Sequence, residues 1–337
     1  MSLRHTLKRV LKRGALVAAA NWPVILAQSA ADALFKLLIA APLVGGAVLA
    51  TLVIGADISA LSTGDWRLLA AELVTSLLQH RIMLLAFVLS LATVVMGGSL
   101  FVFLMKAGTI GVLVKGERQA GAVEDPPLQL EVMATAASFS IELFVDSARA
   151  LFPRYARLGL VLMAVYAVSA STFAATLVWV PLISESWGYT SLVTLAFVLW
   201  TTLVNLIYLL VQIVIAVDDC TVMAATRRVM AFLGHERRVV AAVFGVILAM
   251  ILLATGASLL AMFALGLIFL VPLVGFAAIP LNLLAFLLRA LVFQYIELSA
   301  ISAYLTLYRG FTDRLAAVGV RPASYVAWAP SADVHHP

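Results

Sequence analysis

The chain has 337 residues, of which 64% are hydrophobic and only 12% are charged, and its mean hydropathy is +1.10. This composition excludes a soluble globular domain, in which about half of the residues are apolar and about a quarter are charged. The formal net charge of +5 does not indicate nucleic-acid binding, because basic residues on a membrane protein first report orientation and contact with anionic lipid.

The first 30 residues are basic. Five Lys and Arg residues lie between Arg4 and Arg13, ahead of an apolar stretch that imitates the core of a secretory signal peptide. We expect no cleavage, because Asn, Trp and Pro at residues 21–23 interrupt that stretch. One helical face is apolar and consists of Leu3, Leu7, Val10 and Leu11. This pattern predicts an amphipathic helix that lies on the inner leaflet and binds anionic lipid.

Six segments are long and apolar enough to cross a bilayer, which requires about 20 residues per helix. We predict an all-α membrane bundle whose spans lie at about residues 34–54, 82–105, 158–180, 191–217, 239–264 and 281–306. The last two spans share one long uncharged run, and we expect a turn or a short re-entrant piece around Pro272 to Pro280. Amphipathic stretches at 57–81, at 130–152 within the cytoplasmic loop 106–157, and at 218–238 are expected to lie flat on the bilayer surfaces.

The distribution of Lys and Arg predicts the orientation of the spans, because these residues concentrate in cytoplasmic loops. Of the 22 basic residues, 18 fall in the N-terminal segment, in two alternate loops and in the tail at 309–337. The opposite side carries only Arg67 and Arg81. We therefore expect both termini in the cytoplasm. Of the 22 basic residues 17 are Arg, and the chain is also rich in Ala, Leu and Val. This composition indicates a GC-rich bacterial genome, so we expect a multi-pass protein of a bacterial cytoplasmic membrane.

The sequence contains no metal-binding, phosphate-binding or catalytic motif that we recognise. The five histidines are scattered, and the single cysteine, Cys220, excludes an internal disulfide and a thiolate metal cluster. The glycines at Gly111 and Gly116 have phosphate-loop spacing, but Glu117 stands where the loop needs a lysine. We therefore predict no metal, no cofactor, no catalytic residue and no enzyme activity.

Polar residues inside the predicted spans are the candidate functional residues, because polar groups in hydrocarbon are costly and usually face a bundle interior. They are Lys36 in span one, Asn205 and Gln212 in span four, and Asn282, Arg289, Gln294 and Glu297 in span six. We expect spans four and six to face each other, with Lys36 either anchored at the headgroups or paired with Glu297. Two interpretations remain open: these residues lock the bundle, or Arg289 and Glu297 bind a substrate or a lipid headgroup.

A short segment carries a family resemblance. Asp218-Asp219-Cys220-Thr221, followed by Ala225, Arg227 and Phe232 and then a long apolar span, resembles the cytoplasmic elbow of the membrane domain associated with bacterial glycerophosphodiester phosphodiesterases. The resemblance implies six spans with amphipathic inner loops. It implies no hydrolase activity, because the sequence has no counterpart of the catalytic barrel that such membrane domains can accompany.

Three function classes follow, in order of preference. The first is a lipid-associated scaffold or accessory membrane subunit, favoured by the basic segments and by the lack of catalytic and metal-binding motifs in the sequence. The second is a transporter or channel for a small or amphiphilic substrate, favoured by the polar residues of spans four and six. The third is a membrane-embedded enzyme. The expected partners are membrane lipids, anionic at the inner leaflet, and other membrane proteins, with no nucleic acid.

Overall fold

The computed structural model describes residues 3–54, 79–125, 130–179, 186–269 and 274–318. Within these ranges the chain forms eight α-helices and no strand. The helices are α1 (Leu3–Ala20), α2 (Trp22–Ile54), α3 (Arg81–Gln119), α4 (Leu130–Ala136), α5 (Ile141–Trp179), α6 (Trp187–Asp218), α7 (Val222–Phe269) and α8 (Val274–Ala317). The predicted helix at 57–81, apart from its last residues, the predicted tail beyond residue 318 and residues 270–273 lie outside the described residues.

Six of the helices are long and apolar enough to cross a membrane: α2, α3, α5, α6, α7 and α8. For the described part of the chain, the prediction of an all-helical fold is therefore confirmed, and so is the number of helices that are long and apolar enough to span a membrane. The helices are longer than predicted. Helix α3 has 39 residues and is about 58 Å long at 1.5 Å per residue, against a hydrocarbon thickness of about 30 Å. Much of each long helix must therefore project beyond the hydrocarbon.

Residues predicted as a cytoplasmic loop that carries an amphipathic surface helix instead continue the spans. Residues 106–119 are the end of α3 and residues 141–157 are the start of α5, with only the short α4 between them. Pro153 lies inside α5. The helix continues through it because its neighbours Leu151 and Tyr155 are buried in the core. Residues 274–280, expected in a turn or re-entrant piece, begin α8.

The buried core lies at one end of the bundle. It includes residues of α1, the second half of α3, the inner end of α6, the start of α7 and the second half of α8. The opposite halves of α3, α6, α7 and α8 expose large apolar side chains such as Ile82, Leu195, Leu253 and Leu283. The packed end is also the end where the basic residues concentrate. The exposed halves have the character of lipid-facing surface.

Helix α1 packs against the bundle. A Cβ atom on Gly14 would lie 2.7 Å from the backbone nitrogen of Ala303 and 2.8 Å from the carbonyl oxygen of Ser299, so α1 and α8 touch backbone to backbone. Val10 and Val17 on the same helix are buried. The face that we expected to contact lipid therefore packs on protein, because Gly14 has no side chain and lets α1 approach α8 closely.

The break between α1 and α2 is held by Asn21, which is fully buried. Its side-chain amide donates to the carbonyl oxygen of Ala136 at 2.9 Å, and its Oδ1 accepts from the backbone N–H of Ser138 at 3.0 Å. Pro23 fits in the first turn of α2, where its missing N–H has no helical acceptor. The residues that interrupt the apolar stretch in the sequence thus form an interhelical junction.

The elbow between α6 and α7 is built from the residues that carry the family resemblance. The Asp218 carboxylate accepts from Arg228 and from the Tyr308 hydroxyl, each at 2.6 Å. Asp219 has the left-handed φ of 47° and pairs with Arg154 of α5. Ala225 and Phe232, buried on α7, complete the elbow in the core. These motif residues therefore fix the angle between two spans.

The glycines with phosphate-loop spacing are packing positions. A Cβ on Gly111 would lie 2.2 Å from the Cβ of Ser147, and one on Gly116 would lie 2.8 Å from the carbonyl oxygen of Ala136. Gly98 similarly lies against the ring of Phe35. Their missing side chains allow α3 to contact its neighbours closely.

Candidate functional site

A cavity of about 360 Å³ lies between α6, α7 and α8, with Lys106 of α3 on its wall. We call it the polar chamber. Its polar lining consists of Lys106, Thr202, Asn205, Tyr208, Gln212, Gln294, Glu297 and Tyr304. Four of the seven predicted residues therefore meet here: Asn205, Gln212, Gln294 and Glu297. Helices α6 and α8 do face each other across a polar interior.

Glu297 is paired with Lys106, at 3.2 Å between Nζ and Oε1. The expected partner, Lys36, instead lies 2.6 Å from Asp32, one turn earlier on α2, and its side chain is exposed. The pairing of Lys36 with Glu297 is therefore wrong, because the i,i+4 neighbour of Lys36 is within reach on its own helix.

Lys106 was missed because it was assigned to a loop after the second span. One sequence signal points to it: residues 107–114 are again almost entirely apolar, so hydropathy does not fall after the lysine. An isolated cation inside a continuous apolar helix requires a partner. That argument places Lys106 in the bundle.

Several polar atoms in the polar chamber have no hydrogen-bond partner in the described part of the chain. They are the hydroxyls of Tyr208 and Tyr304, both the oxygen and the nitrogen of the Gln212 amide, and Oε1 of Gln294. All four side chains belong to buried residues, and Gln212 is 0% exposed. Buried polar groups in folded proteins are almost always paired, and leaving one unpaired costs about 1–3 kcal/mol. The chamber therefore offers several unused donors and acceptors to a guest.

The two ends of the polar chamber differ in character. Gln212 and Tyr304 form the buried end, whereas Asn205 at the other end is exposed. The wall from α7 is apolar and consists of Phe244, Ile247 and Ile251. The chamber thus combines a buried polar end with an apolar wall that leads toward the exposed half of the bundle.

Arg289 and Asn282 do not line the polar chamber. The Arg289 guanidinium lies 5.7 Å from the ring centre of Phe293, and its Nη1 is 3.4 Å from Sδ of Met262. Arg289 is exposed. Helical side chains point toward the N-terminus of their helix, so Arg289 extends away from Glu297. The two charges that we expected to share a ligand belong to different surroundings.

A second, larger cavity of about 1140 Å³ lies at the packed end of the bundle. We call it the basic cavity. It is lined by α1, by the end of α3 with the following residues, by α7 and by the end of α8. Its charged lining consists of Arg9, Arg13, Arg118, Arg237, Arg238, Arg309, Arg314, Glu117, Glu124, Glu236 and Asp313, with His235 beside them.

One wall of the basic cavity is a network of ion pairs centred on Arg13. Its Nε lies 2.7 Å from Glu117, and its Nη1 lies 2.7 Å from Glu124. Arg9 also reaches Glu124, at 2.7 Å, and the hydroxyl of Thr306 donates to Glu117 at 3.1 Å. The basic face of α1 is therefore directed at carboxylates of the protein.

This network shifts the pKa values of its members. Burial lowers the pKa of Arg13, but the adjacent Glu117 and Glu124 raise it more, so that the net shift is upward. Burial also opposes ionisation of Glu124. Hydrogen bonds from the backbone, Arg13 and Arg9 nevertheless hold its pKa below the usual value. Both groups are therefore fully charged at neutral pH.

Within the described ranges, no group of three or more His, Cys, Asp or Glu side chains is arranged to hold a metal ion. Cys220 is a free thiol, half-buried beside the elbow, and burial raises its pKa. A thiol of raised pKa is a weak nucleophile at neutral pH.

Comparison with known proteins gives no match, neither to a protein-family model, nor to a curated protein, nor to a solved structure. The resemblance of the elbow to the phosphodiesterase-associated membrane domain stays a prediction.

Proposed function

We propose that the protein is a lipid-binding accessory protein of a bacterial cytoplasmic membrane, which holds the headgroup of an inner-leaflet lipid in the polar chamber. The observation that carries the proposal is the set of unpartnered polar atoms on Tyr208, Gln212, Gln294 and Tyr304. Ligand pockets combine a mostly apolar lining with a few convergent polar groups, and this chamber has that composition.

The depth of the polar chamber suits a lipid headgroup. Along α3, Lys106 lies 25 residues after Arg81, a rise of about 38 Å, which exceeds the hydrocarbon thickness of about 30 Å. If Arg81 lies at one membrane surface, Lys106 therefore lies near the headgroups of the other. The basic residues favour the cytoplasm for that side, with both termini there.

The direction of the polar chamber suits a lipid as well. Residues 202–212 of α6 and residues 293–304 of α8 both run toward the packed end, so the buried polar end points to the cytoplasmic surface. The apolar wall formed by α7 points to the bilayer centre. A lipid of the inner leaflet has the same arrangement, with its headgroup at the surface and its chains toward the centre.

The charges of the polar chamber favour a zwitterionic or uncharged headgroup. Lys106 and Glu297 together contribute no net charge, and the other polar lining residues are neutral. A phosphate group can bind Lys106 while an ammonium group binds Glu297, so that each charge exchanges one partner for another. Phosphatidylethanolamine provides both groups on one headgroup.

A matched pair of substitutions tests the proposal. Gln212 is buried without a side-chain partner, whereas Gln28 is buried and accepts from the hydroxyl of Thr109 at 2.8 Å. We expect Gln212→Leu to preserve or raise the melting temperature, because it removes unpaired groups, and to reduce retained phosphatidylethanolamine at least about tenfold. Gln28→Leu is expected to lower the melting temperature and to leave lipid retention unchanged.

The measurement is native mass spectrometry of protein purified from nanodiscs that contain phosphatidylethanolamine and phosphatidylglycerol, alongside thermal unfolding. Preferential retention of phosphatidylethanolamine supports the proposal. If Gln212→Leu destabilises the protein as Gln28→Leu does and retains the same lipid, Gln212 belongs to the packing of the bundle and the proposal fails.

A lipid transporter is the second candidate, favoured by one observation. Tyr304 lines the polar chamber and Thr306, two residues later on α8, lines the basic cavity, so the two cavities follow each other along one helix. Transfer of a fluorescent phosphatidylethanolamine between leaflets of proteoliposomes, measured by dithionite quenching, distinguishes a transporter from an accessory protein that binds without transfer.

A further inference from the structure

Four arginines of the basic cavity have no ion pair with any described residue: Arg118, Arg237, Arg238 and Arg309. Arg118 donates a hydrogen bond to the carbonyl oxygen of Val217 at 3.4 Å, which leaves Arg237, Arg238 and Arg309. They come from two helices, α7 and α8, and all of them line the same concave surface. Arg237 and Arg238 are exposed, and Arg309 is half-buried. Three guanidinium groups without an ion pair in one cavity form a positive wall, in which Arg309 also lies within electrostatic range of Glu117.

A break in α7 lies beside two of these arginines, Arg237 and Arg238. Glu236 has a φ of −109° and a ψ of 19°, which interrupts the helix, and its carboxylate is tied to Arg314 of α8 at 2.8 Å. The six consecutive residues from Gly234 to Val239 all line the cavity. The unbroken helix α8 lines the cavity with shorter runs, such as Arg309 with Gly310 and Asp313 with Arg314. At the break, α7 instead contributes six consecutive residues, which include two adjacent arginines.

The acidic residues of the cavity do not neutralise this wall. Glu117 and Glu124 are occupied by Arg13 and Arg9, and Glu236 by Arg314. The fourth acidic lining residue, Asp313, has no ion pair with a described residue and offsets one of the unpaired arginine charges. Of the lining residues, seven are Arg and four are Asp or Glu, which leaves a net charge of +3. A concave surface of one sign concentrates counter-ions more strongly than a flat one.

We propose that the basic cavity binds a phosphate-bearing anion, with Arg237, Arg238 and Arg309 as its main ligands. The planar guanidinium donates two parallel hydrogen bonds and matches phosphate oxygens. The volume of about 1140 Å³ exceeds the need of a single phosphate, so the ligand carries phosphate on a larger body. That body is either a soluble phosphorylated compound or the headgroup of an anionic lipid.

Membrane orientation alone does not account for this arrangement. The positive-inside rule requires Lys and Arg near the cytoplasmic ends of spans but does not require them to converge. Arg227 on the same helix meets that rule: it is exposed and does not line the cavity. This residue provides a matched control for the cavity arginines.

The test measures pyrophosphate binding to the purified full chain by isothermal titration calorimetry, in low salt and with a neutral detergent. We compare the wild type with Arg237→Gln/Arg238→Gln, with Arg309→Gln and with the control Arg227→Gln. A parallel series uses nanodiscs with and without phosphatidic acid. Because Arg237 and Arg238 are exposed, we expect the variants to fold, and thermal unfolding of each variant checks this directly.

We expect saturable binding that weakens at least about tenfold in the double variant, less in Arg309→Gln and not in Arg227→Gln, since each lost guanidinium removes charge-assisted hydrogen bonds. Pyrophosphate binding identifies a soluble ligand, and binding only to phosphatidic acid nanodiscs identifies a lipid headgroup. Absence of both, or equal weakening by Arg227→Gln, overturns the proposal. Lipid retention in the polar chamber is measured separately, so the two proposals can fail independently.

Discussion

Replacing Arg13 with Met separates two explanations of the basic N-terminal helix. If its cations bind lipid, Arg13 is equivalent to its neighbours on the helix surface. In the structure Arg13 pairs with Glu117 and Glu124, whose side chains are 4% and 3% exposed. Removing one partner of a buried ion pair costs about 3–5 kcal/mol, because the remaining charge stays buried and unpaired.

The loss at Arg13 should fall at the lower end of that range. Arg9 still covers Glu124, and Thr306 still donates to Glu117. We therefore expect Arg13→Met to reduce the free energy of unfolding by about 3 kcal/mol, which corresponds to a fall of about 6 °C in melting temperature for a large domain. The second change Glu117→Gln should recover most of this loss, because it removes the orphaned charge.

Thermal unfolding in detergent, without anionic lipid, provides the assay, and Arg4→Gln is the control because Arg4 is exposed on the same helix. The control should leave the melting temperature unchanged. Equal, small shifts for Arg4→Gln and Arg13→Met would refute the ion-pair account, as would a double variant less stable than Arg13→Met alone.

Four further predictions rest on single features. Gly14→Val should lower the melting temperature by several degrees, because overpacking against backbone costs about 1–3 kcal/mol, whereas Gly245→Val, whose Cβ position is open, should not. Arg289→Gln should change neither stability nor lipid retention, while Glu297→Gln should reduce retention of phosphatidylethanolamine; a reversed result would return Arg289 to the site. The pKa of Glu124 is lowered from its ordinary 4.5, so the ionised carboxylate stabilises the fold above about pH 4.5, and this contribution is lost as the pH falls through the lowered pKa. Acid unfolding of the wild type and of Glu124→Gln measures the contribution. Reporter fusions after residues 120 and 230 should score cytoplasmic, and a fusion near residue 186 external.

The spans and the polar face of α6 could be predicted from the sequence because both depend on local pattern. Hydropathy over about 20 residues indicates a span, and Asn205 and Gln212 lie seven residues apart, on one helical face. These signals need no knowledge of the tertiary structure. The pattern does not indicate where a helix ends when its projecting part is also apolar, as in residues 107–114 of α3.

The role of α1 could not be predicted because it depends on distant partners. Its amphipathic pattern is the same whether the apolar face meets lipid or protein. The deciding residues are Glu117 and Glu124, more than 100 positions away, and Gly14, whose significance lies in the backbone of α8. Nothing in the N-terminal segment identifies these contacts.

Charge pairing in span six was misjudged for a related reason. Arg289 and Glu297 were treated as equivalent because both lie deep in an apolar run. The two residues are eight positions apart, a rise of about 12 Å along the helix, and the side chain of Arg289 points toward the N-terminus, away from Glu297. Glu297 meets Lys106, whereas Arg289 meets Met262 and Phe293. The direction in which each side chain points, rather than its depth in the span, determines its partner.

The hydrogen bonding of the buried side-chain amides in this bundle supports a ligand in the polar chamber. Where a buried amide has a structural role, the protein supplies partners: Asn21 is bonded to Ala136 and Ser138, and Gln28 accepts from Thr109. Gln212 is buried as completely as Asn21, yet both atoms of its amide are unpaired.

Half of the buried unpaired atoms in the described part of the chain line the polar chamber. The other half do not resemble them: they are three serine hydroxyls and single atoms of Glu117 and Arg228, and another polar atom of each of those two side chains is already bonded. A serine hydroxyl in a helix can turn toward a carbonyl of its own preceding turn, but a buried Gln amide and two tyrosine hydroxyls have no such local acceptor. A bundle that needed only stability would have an apolar residue at Gln212, because replacing unpaired polar groups by apolar ones is neutral or stabilising. The concentration of unpaired groups around one cavity is therefore the observation that supports the proposed polar ligand.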